Sequence, residues 1–550
     1  MRCSSACFES LDARIGWPVD YETPATTEQG QPDFPQTLLA KSAPTTPCSW
    51  TSNPCISSIL LRLSNSSGST RWPTPSLIDT ISVNGVFDND RHNSGNDMSE
   101  ITLFLERLQC WGTQSCIDAD GTSHAYLELL EELDRWSARF EALEVGAGSV
   151  IGIRADFSIY GVSALLALLS RSAVAALIPR DRNTDRYLDD SFCEGLLSVA
   201  IDGSYEYQRI PRISRAPLLE QLRVSGDGGL VVFTSGSTGR PKAALHSADR
   251  FLQKFRKPGR RFRTLAFLLF DHIAGLDTLL YTLASGGTLV IPRRRDPNAI
   301  MELIESRVVE VLPTSPSFLR LLCAAGGDRA YDLSSLKVIT YGSEPMDSST
   351  LERMNMRFPN IQISQKYGTT ELGSPKSVSR GNDSLWLKIK SDDIRIKVVD
   401  GVLWILSPSA ILGYLNAPSP LDDNGWYCTG DLVDVDGEWV RFRGRMSDII
   451  NVGGEKVSPA EVEQTIMELE FVRDVVVSGE PHTLMGQIVT ARITLSDDAM
   501  NVKEATSAIR AHCRKHHPAF KVPVKIAITT EQFANHRHKV SRQTQVSGDS

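Results

Sequence analysis

The chain has 550 residues, of which 41% are hydrophobic and 23% charged, a composition typical of a globular protein with two to four domains. Its formal net charge of −8 argues against nucleic acid as the main partner, because nucleic-acid-binding surfaces are basic. The ten cysteines include no CxxC pair. This spacing predicts neither a disulfide framework nor a zinc site, and it favours a reducing, cytoplasmic location.

The first part of the chain differs in composition from the rest. Residues 1–98 are rich in Ser, Thr and Pro without a helical or alternating apolar pattern, which predicts a disordered N-terminal extension. From residue 99 onward, helix-like and strand-like runs alternate, as in HAYLELLEELDRWSARFEAL, GSVIGIRA, SIYGVSALLALLS and AVAALIP. This alternation predicts an α/β fold built on largely parallel sheets. The longest apolar run is interrupted by Ser170, Arg171 and Ser172, so no transmembrane segment is expected.

The C-terminal part has a pattern of its own. PAEVEQTIMEL and ATSAIRAHCRKH have helical spacing, whereas RDVVVSGE, GQIVTARITL and VPVKIAITT are strand-like. Together they predict a small α+β domain that follows the strand-like EWVRFRG. The predicted division is a large domain at residues 99–444 and a small, mobile domain at residues 445–550.

The most unusual stretch is VVFTSGSTGRPKAALHS at residues 231–247, where an apolar strand runs into a loop of small and hydroxylated residues. Glycines let backbone N–H groups approach a ligand, while hydroxyls and a lysine supply donors and positive charge that suit polyphosphate oxygens. The spacing is not that of the Walker P-loop. The candidate phosphate-binding residues are Thr234, Ser235, Gly236, Ser237, Thr238, Gly239 and Lys242.

TSGSTGRPK resembles the phosphate-binding signature of the adenylate-forming superfamily, which includes acyl-CoA synthetases, luciferases and peptide-synthetase adenylation domains. Four further segments match signatures of that superfamily in order: YGSEPM (341–346), QKYGTTELG (365–373), GWYCTGDL (425–432) and FRGRMSDIINVGGEKVSPAEVE (442–463). The resemblance spans roughly residues 100–545. It implies a large domain that binds ATP and a carboxylic acid, and a small C-terminal lid.

The resemblance also implies a nucleotide site. Gly342, Ser343 and Glu344 lie in the segment that packs against adenine, and Asp431 and Arg445 would bind the ribose. A second set comes from YGTTE: Tyr367 would flank the adenine beside Gly368 and Thr369, Thr370 would donate to the α-phosphate, and Glu371 would hold Mg²⁺.

The resemblance implies five further positions for the chemistry. His272 in FDHIAG would lie at the acid's carboxylate, where amino-acid-activating relatives usually carry Asp, so an amino acid substrate is disfavoured. Lys539 in ANHRHKVSRQ would contact both the carboxylate and the α-phosphate, although His538 replaces the glycine that is common there. After the small domain turns about Ser447, Gly453 and Gly454 would line a channel for the thiol of coenzyme A.

The reaction implied is ATP-dependent activation of a carboxylic acid through an acyl-adenylate, followed by transfer to coenzyme A. An acyl-AMP ligase that loads a carrier protein is one alternative, and a non-catalytic nucleotide-binding relative is another. The compact segment between Gly373 and Gly425 lacks the insertion of many acyl-AMP ligases and favours coenzyme A. We expect any carrier protein to act in trans, because no attachment segment follows the ligase motifs. Fatty, aryl and polycarboxylic acids all stay open as substrates.

Overall fold

The computed structural model describes residues 98–180, 184–212, 216–234, 240–325, 330–390, 393–496, 501–530 and 533. Several predictions fall outside these ranges. They concern the disorder of residues 1–97 and the roles of Ser235, Gly236, Ser237, Thr238, Gly239 and Lys539.

The described residues form helices and strands that alternate through most of the chain. The helices are α1 (Glu100–Trp111), α2 (Tyr126–Ala142), α3 (Ile159–Ser170), α4 (Thr184–Asp190), α5 (Pro217–Ser225), α6 (Ala248–Leu252), α7 (Ile273–Ala284), α8 (Pro297–Arg307), α9 (Pro316–Ala325), α10 (Ser348–Arg357), α11 (Pro459–Met467) and α12 (Val502–His516). Short 3-10 turns span Gln253–Phe255, Met446–Asp448 and Ala519–Lys521.

The strands begin and end as follows: β1 (Ser115–Ala119), β2 (Thr122–Ala125), β3 (Val150–Arg154), β4 (Val174–Leu177), β5 (Gly195–Val199), β6 (Tyr205–Arg209), β7 (Gly229–Thr234), β8 (Lys242–Ser247), β9 (Arg263–Leu265), β10 (Thr288–Ile291), β11 (Val311–Thr314), β12 (Val338–Tyr341), β13 (Gln362–Gln365), β14 (Ser377–Ser379), β15 (Leu387–Ile389), β16 (Arg395–Val399), β17 (Val402–Leu406), β18 (Gly413–Tyr414), β19 (Tyr427–Asp436), β20 (Trp439–Arg445), β21 (Ile450–Val452), β22 (Glu455–Val457), β23 (Val472–His482), β24 (Gly486–Leu495) and β25 (Lys525–Ile528).

These strands pair into four sheets. Sheet A has the order β13-β12-β11-β9-β10-β1-β2 and is parallel except for the β1–β2 hairpin. Sheet B has the order β18-β8-β7-β4-β3-β5-β6, with parallel strands in its centre and antiparallel strands at both edges. Sheet C (β14-β15-β20-β19-β17-β16) is antiparallel. Sheet D orders β22-β21-β24-β23 antiparallel and adds β25 parallel to β24.

Helices fill the space between sheets A and B. One hydrophobic cluster contains residues of α1, α2, α3 and α7 together with Ile117 of sheet A and Ile151 of sheet B. Helix α3 is buried on nearly all sides, which explains why its sequence is apolar throughout rather than amphipathic. Packing of apolar helices against largely parallel strands confirms the predicted α/β class.

The predicted C-terminal elements are present. Sheets A, B and C use strands between Ser115 and Arg445, whereas sheet D uses strands from Ile450 onward, with α11 and α12 contributing to its own hydrophobic cluster. The division into domains at residue 444 stays a prediction. Within the described ranges, no helix combines the length and the apolar character needed to cross a bilayer.

A buried ionic cluster, which we call the Arg320 cluster, joins sheet D to the rest of the protein. Arg320 of α9 is 10% exposed; its Nη1 lies 3.4 Å from Asp347 at the start of α10, and its Nε lies 3.2 Å from Asp474 on β23. Burial raises the pKa of Asp474, and Arg320 opposes that rise. Two hydrogen bonds reinforce this junction between α10 and α11, one from Ser349 Oγ to the Met467 carbonyl at 3.0 Å.

Replacing Arg320 tests this junction. Arg320→Met leaves the carboxylates of Asp347 and Asp474 without their cation, and loss of one member of a buried ion pair costs about 3–5 kcal/mol. We expect a lower unfolding temperature and faster proteolytic cleavage near residues 445–449. Arg209→Met is the matched control, because its pair with Glu144 is exposed (70% and 75%) and worth about 0–1 kcal/mol. Equal proteolysis of the two variants would contradict the role given to Arg320.

Candidate functional site

A cavity of about 1590 Å³ lies where the sheets meet. Its walls include the residues that follow β12 and β13 in sheet A, the start of β8 in sheet B, parts of β19 and β20 in sheet C, and part of β23 in sheet D. Because the carboxyl ends of parallel strands meet at one edge of a sheet, signatures distant in sequence come together here.

The cavity brings together most of the described residues that the sequence singles out. Those that line it are Thr234, Lys242, His272, Gly342, Ser343, Tyr367, Gly368, Thr369, Thr370, Glu371 and Arg445. Four described candidates are not part of its lining, namely Glu344, Asp431, Gly453 and Gly454.

Glu371 is held by two tyrosines. Its carboxylate accepts hydrogen bonds from the hydroxyls of Tyr414 and Tyr427, and Glu371 itself is 8% exposed. Burial, followed by the charge of Glu371, raises the pKa of Tyr414 above its ordinary value, so this hydroxyl stays protonated and donates. The Lys242 ammonium lies 5.0 Å from the centroid of the Tyr414 ring, which adds a cation–π contact beside the carboxylate.

Asp431 joins three of the signatures. Its carboxylate accepts a hydrogen bond from the Tyr367 hydroxyl at 2.8 Å and another from Arg445 Nε at 3.0 Å. The ring of Tyr367 stacks on Phe442 with centroids 4.6 Å apart and planes 13° from parallel. Asp431 does not line the cavity itself. It holds in place Tyr367 and Arg445, which do line the cavity.

His246 positions the loop that carries Thr370 and Glu371. It is fully buried on β8, and its Nε2 lies 2.8 Å from the Thr370 carbonyl oxygen. Since a carbonyl only accepts, Nε2 carries the proton and donates. Burial lowers the pKa of His246 to about 4, so the ring is neutral at physiological pH.

His272 caps the helix that forms one wall of the cavity. Its Nδ1 accepts a hydrogen bond from the Ala274 N–H at 3.3 Å at the start of α7. Helix α7 buries its leucine face in the core between sheets A and B, so its opposite face points into the cavity. Gly275 permits close packing of this helix, because a Cβ there would lie 1.9 Å from the Leu269 carbonyl oxygen.

The side chain of Glu344 is not part of the cavity lining. It accepts hydrogen bonds from the backbone N–H of Ser317 at 3.2 Å and from Ser317 Oγ at 2.8 Å. Burial raises the pKa of Glu344, and Arg320 opposes that rise. The carboxylate is thus drawn to the Arg320 cluster, and the contact of this segment with adenine stays a prediction.

Gly453 and Gly454 lie away from the cavity, in the turn between β21 and β22. Both have positive φ, +61° and +95°, so the turn favours glycine at these positions. A Cβ on Gly453 would also lie 2.8 Å from Met485 Cε. The two glycines therefore form a tight turn, and their role in a thiol channel stays a prediction.

Several residues of the site were not singled out from the sequence, among them Tyr427, His246 and Tyr414. Tyr427 and Asp431 both point to the buried side of β19, a position that the period-two alternation of YCTGD indicates. The same alternation places Lys242 and His246 on one face of β8. Tyr414 reaches Glu371 from a strand 43 residues further along the chain, and no local pattern gives that contact.

The comparisons with known proteins agree with this arrangement. The family model described as AMP-binding enzyme matches residues 207–415, and the model of the AMP-binding enzyme C-terminal domain matches residues 461–539. Together they cover just over half of the chain. The chain belongs to the AMP-binding enzyme family.

Individual curated relatives and solved structures share about a quarter of their aligned residues, or fewer, with this chain. The chain is 26% identical to 4-coumarate–CoA ligase 4 of Arabidopsis thaliana over 346 residues, 56% of this chain and 60% of the relative. It is 25% identical to the fatty acid–[acyl-carrier-protein] ligase MmaC of Mycobacterium marinum over 496 residues, 77% of this chain and 92% of the relative. The anthranilate CoA ligase AuaEII, solved with anthranoyl-AMP, has the same fold, with a TM-score of 0.69 and 19% identity over 80% of this chain and 95% of its own.

The neutral state of His246 predicts a pH effect on stability. Its folded-state pKa of about 4 lies below its ordinary 6.5, so its contribution is present above pH 6.5 and is lost as the pH falls towards 4. We expect wild type to lose about 2 kcal/mol between pH 7 and pH 5 relative to His246→Gln, which keeps a donor without a titrating ring. Urea unfolding at the two pH values measures this.

A second histidine serves as the control for that measurement. His482 is exposed, so His482→Gln is expected to keep the pH dependence of wild type. Parallel loss of stability in wild type and His246→Gln would show that the buried ring is not held neutral.

Proposed function

We propose that this protein is an AMP-forming acid–thiol ligase that activates a carboxylic acid with ATP and transfers the acyl group to coenzyme A. The observation that carries the proposal is the assembly of the YGTTE loop, Lys242 and the Asp431–Arg445 pair around one cavity. Positioned cations and hydrogen-bond donors are what phosphoryl chemistry needs, because catalysis there depends on charge stabilisation rather than on a covalent nucleophile.

ATP would lie along this cavity. Gly342 and Ser343 line the wall expected to contact adenine, and Arg445 lies at the wall expected to contact the ribose. The phosphates would extend towards Thr234 and Lys242, at the two ends of the phosphate loop. In this placement each signature would contact a part of ATP, and α7 and His272 would face the α-phosphate and the acid.

Glu371 fits a Mg²⁺ ion that accompanies ATP. Its buried carboxylate lies in the cavity wall beside Thr369 and Thr370, and carboxylate and hydroxyl oxygens are ligands that hard cations prefer. The hydrogen bonds from Tyr414 and Tyr427 orient this carboxylate. The ion would supply positive charge to neutralise phosphate oxygens.

In the first half-reaction, a carboxylate oxygen of the acid bonds to the α-phosphorus of ATP, and the bond between the α-phosphorus and the bridging oxygen breaks as pyrophosphate leaves. Thr370 would donate to the α-phosphate, His272 would contact the acid, and Lys539 would stabilise both reacting groups. His246 would keep Thr370 in place through its backbone carbonyl. In the second half-reaction a thiol replaces AMP, with Gly453 and Gly454 beside it.

A specific observation favours one alternative to coenzyme A as the acceptor of the acyl group. The relative MmaC, named as a ligase of fatty acids to acyl-carrier protein, matches 77% of this chain. A carrier protein acting in trans is therefore the second candidate for the acceptor. A non-catalytic nucleotide-binding protein is the third reading, and the location in the cytoplasm stays a prediction.

Pyrophosphate release tests the proposed function. Purified protein with ATP, Mg²⁺ and a panel of acids is expected to release pyrophosphate in an acid-dependent way, with sustained turnover when coenzyme A is present. Lys539→Ala is expected to lower the rate about 10²–10³-fold, the usual cost of removing a group that stabilises developing charge.

Controls separate the alternatives. Lys503→Ala, at an exposed site in the first turn of α12, is expected to match wild type. A single turnover that coenzyme A does not extend would favour the carrier protein. Absence of release with every acid, while ATP binds, would favour the non-catalytic reading.

The hydrogen bond from Tyr414 to Glu371 predicts a graded Mg²⁺ effect. Tyr414→Phe removes one orienting donor and is expected to raise the Mg²⁺ concentration for half-maximal pyrophosphate release about tenfold. Glu371→Gln is expected to raise it further, because the charge itself is lost. Mg²⁺ titration of the initial rate measures both, and identical Mg²⁺ curves for wild type and Glu371→Gln would remove Glu371 from this role.

A further inference from the structure

One part of the cavity extends past His272, between α7 and the carboxyl ends of β11 and β12. We call it the acid compartment. Its walls are formed by Lys254, Asp277, Thr278, Tyr281, Thr282, Thr314, Tyr341 and Lys366. At 1.5 Å per helical residue, Tyr281 lies about 13 Å beyond His272 along α7, which leaves room for the body of an acid.

Lys366 places a positive charge in this compartment. It directly follows β13, next to Gly342, where an added Cβ would lie 2.7 Å from the Lys366 carbonyl oxygen. Its side chain is exposed, and since it lines the cavity, part of that exposed surface faces inward. The surrounding protein walls lower the pKa of Lys366, and only the charge of Asp277 raises it.

Asp277 does not neutralise this charge, because another lysine already pairs with it. The Lys254 ammonium forms an ion pair with Asp277, and both side chains are largely buried, at 17% and 15% exposure. Lys254 also lies 3.9 Å from the centroid of the Phe251 ring. Among the described residues, none forms a hydrogen bond or an ion pair with the side chain of Lys366, whose backbone N–H donates to the Tyr341 carbonyl. The three side chains together carry one uncompensated positive charge.

The acid compartment also contains hydroxyls without partners. Among the described side chains, Thr282 Oγ1, Thr314 Oγ1 and the Tyr341 hydroxyl are buried and make no hydrogen bond. A buried polar group left unsatisfied costs about 1–3 kcal/mol. Because these oxygens have almost no exposed surface, they do not face the cavity. The charge of Lys366 is therefore what favours an anionic occupant over a plain hydrocarbon chain.

Apolar side chains are present as well, among them Leu268, Ile273 and Val311. Ligand sites commonly combine an apolar wall with a few polar groups that decide specificity. The apolar residues thus accommodate the carbon skeleton of many acids, whereas the uncompensated charge distinguishes one class from another.

We propose that the acid activated by this protein carries a second anionic group, which Lys366 binds in the acid compartment. This inference rests on the proposed function and narrows its substrate class to dianionic acids such as dicarboxylates. The reacting carboxylate would lie at His272, and the second would pair with the lysine whose charge no described residue neutralises. Lys366 is then a specificity-determining residue rather than a part of the phosphate site.

Matched acid pairs test this inference. The acids are hexanoate with adipate, octanoate with suberate, and benzoate with isophthalate, each pair differing by one carboxylate. Wild type is expected to have the higher kcat/KM, from pyrophosphate release, for the dianionic member of the preferred pair. Lys366→Met is expected to lower that kcat/KM about fivefold, because an ion pair made by an exposed lysine is weaker than a buried one, and to raise kcat/KM for the monoanionic member.

Three further variants complete the design. Lys366→Arg keeps the charge and is expected to preserve the preference for the dianion, whereas Lys366→Glu is expected to abolish it. Lys503→Met removes an exposed lysine far from the cavity and is expected to keep the wild-type ratio. Unfolding temperatures of all variants show that each is folded.

Each remaining outcome overturns the inference in a distinct way. A wild-type preference for monoanionic acids would reject the dianion while leaving the proposed ligase function intact. An equal loss for both members of a pair in Lys366→Met would assign Lys366 to the general chemistry instead. Absence of pyrophosphate release with all six acids and with a wider panel would reject the proposed function itself, and this inference with it.

Discussion

The site depends above all on the buried carboxylate of Asp431, which joins three segments that are distant in sequence. It binds Tyr367 from the loop after β13, it lies on β19, and it pairs with Arg445 at the end of β20. Burial raises the pKa of Asp431, and Arg445 opposes that rise, so the pairing favours the ionised carboxylate. Because one end of β20 carries this pair, the start of sheet D, five residues later, is positioned relative to the wall that we propose for the nucleotide.

A second layer of groups keeps the charges around the cavity in fixed states. His246 is neutral and donates to the Thr370 carbonyl, while Tyr414 and Tyr427 stay protonated and donate to Glu371. None of these three contacts requires a charge change near pH 7, so the donors are oriented before a ligand arrives. Such preorganisation is the main physical means by which a protein stabilises charge that develops during a reaction.

The fold class, the order of the elements and part of the cavity lining could be predicted from the sequence, because each signature is local. YGTTE and TGD combine strand alternation with glycine turns, which indicates where their side chains point. Contacts between signatures could not be predicted. Glu344 belongs to a signature, yet Ser317 and the charge of Arg320 draw its carboxylate out of the cavity. Lys366 lies inside a signature too, but only the neighbouring Lys254–Asp277 pair shows that its charge is uncompensated.

The Arg320 cluster constrains how sheet D could move. Any rotation about residues 446–448 must separate Arg320 on α9 from Asp474 on β23. That separation does not leave Arg320 without a partner, since Asp347 stays with it on the same side of the hinge. Asp474 would move towards water, where a carboxylate is well solvated. Neither Arg320 nor Asp474 would then be a buried charge without a partner, so breaking their contact would cost less free energy than breaking a fully buried ion pair usually does. An ionic contact of this kind favours one orientation without preventing another, which is what the proposed two-step ligase reaction with a rotating small domain requires.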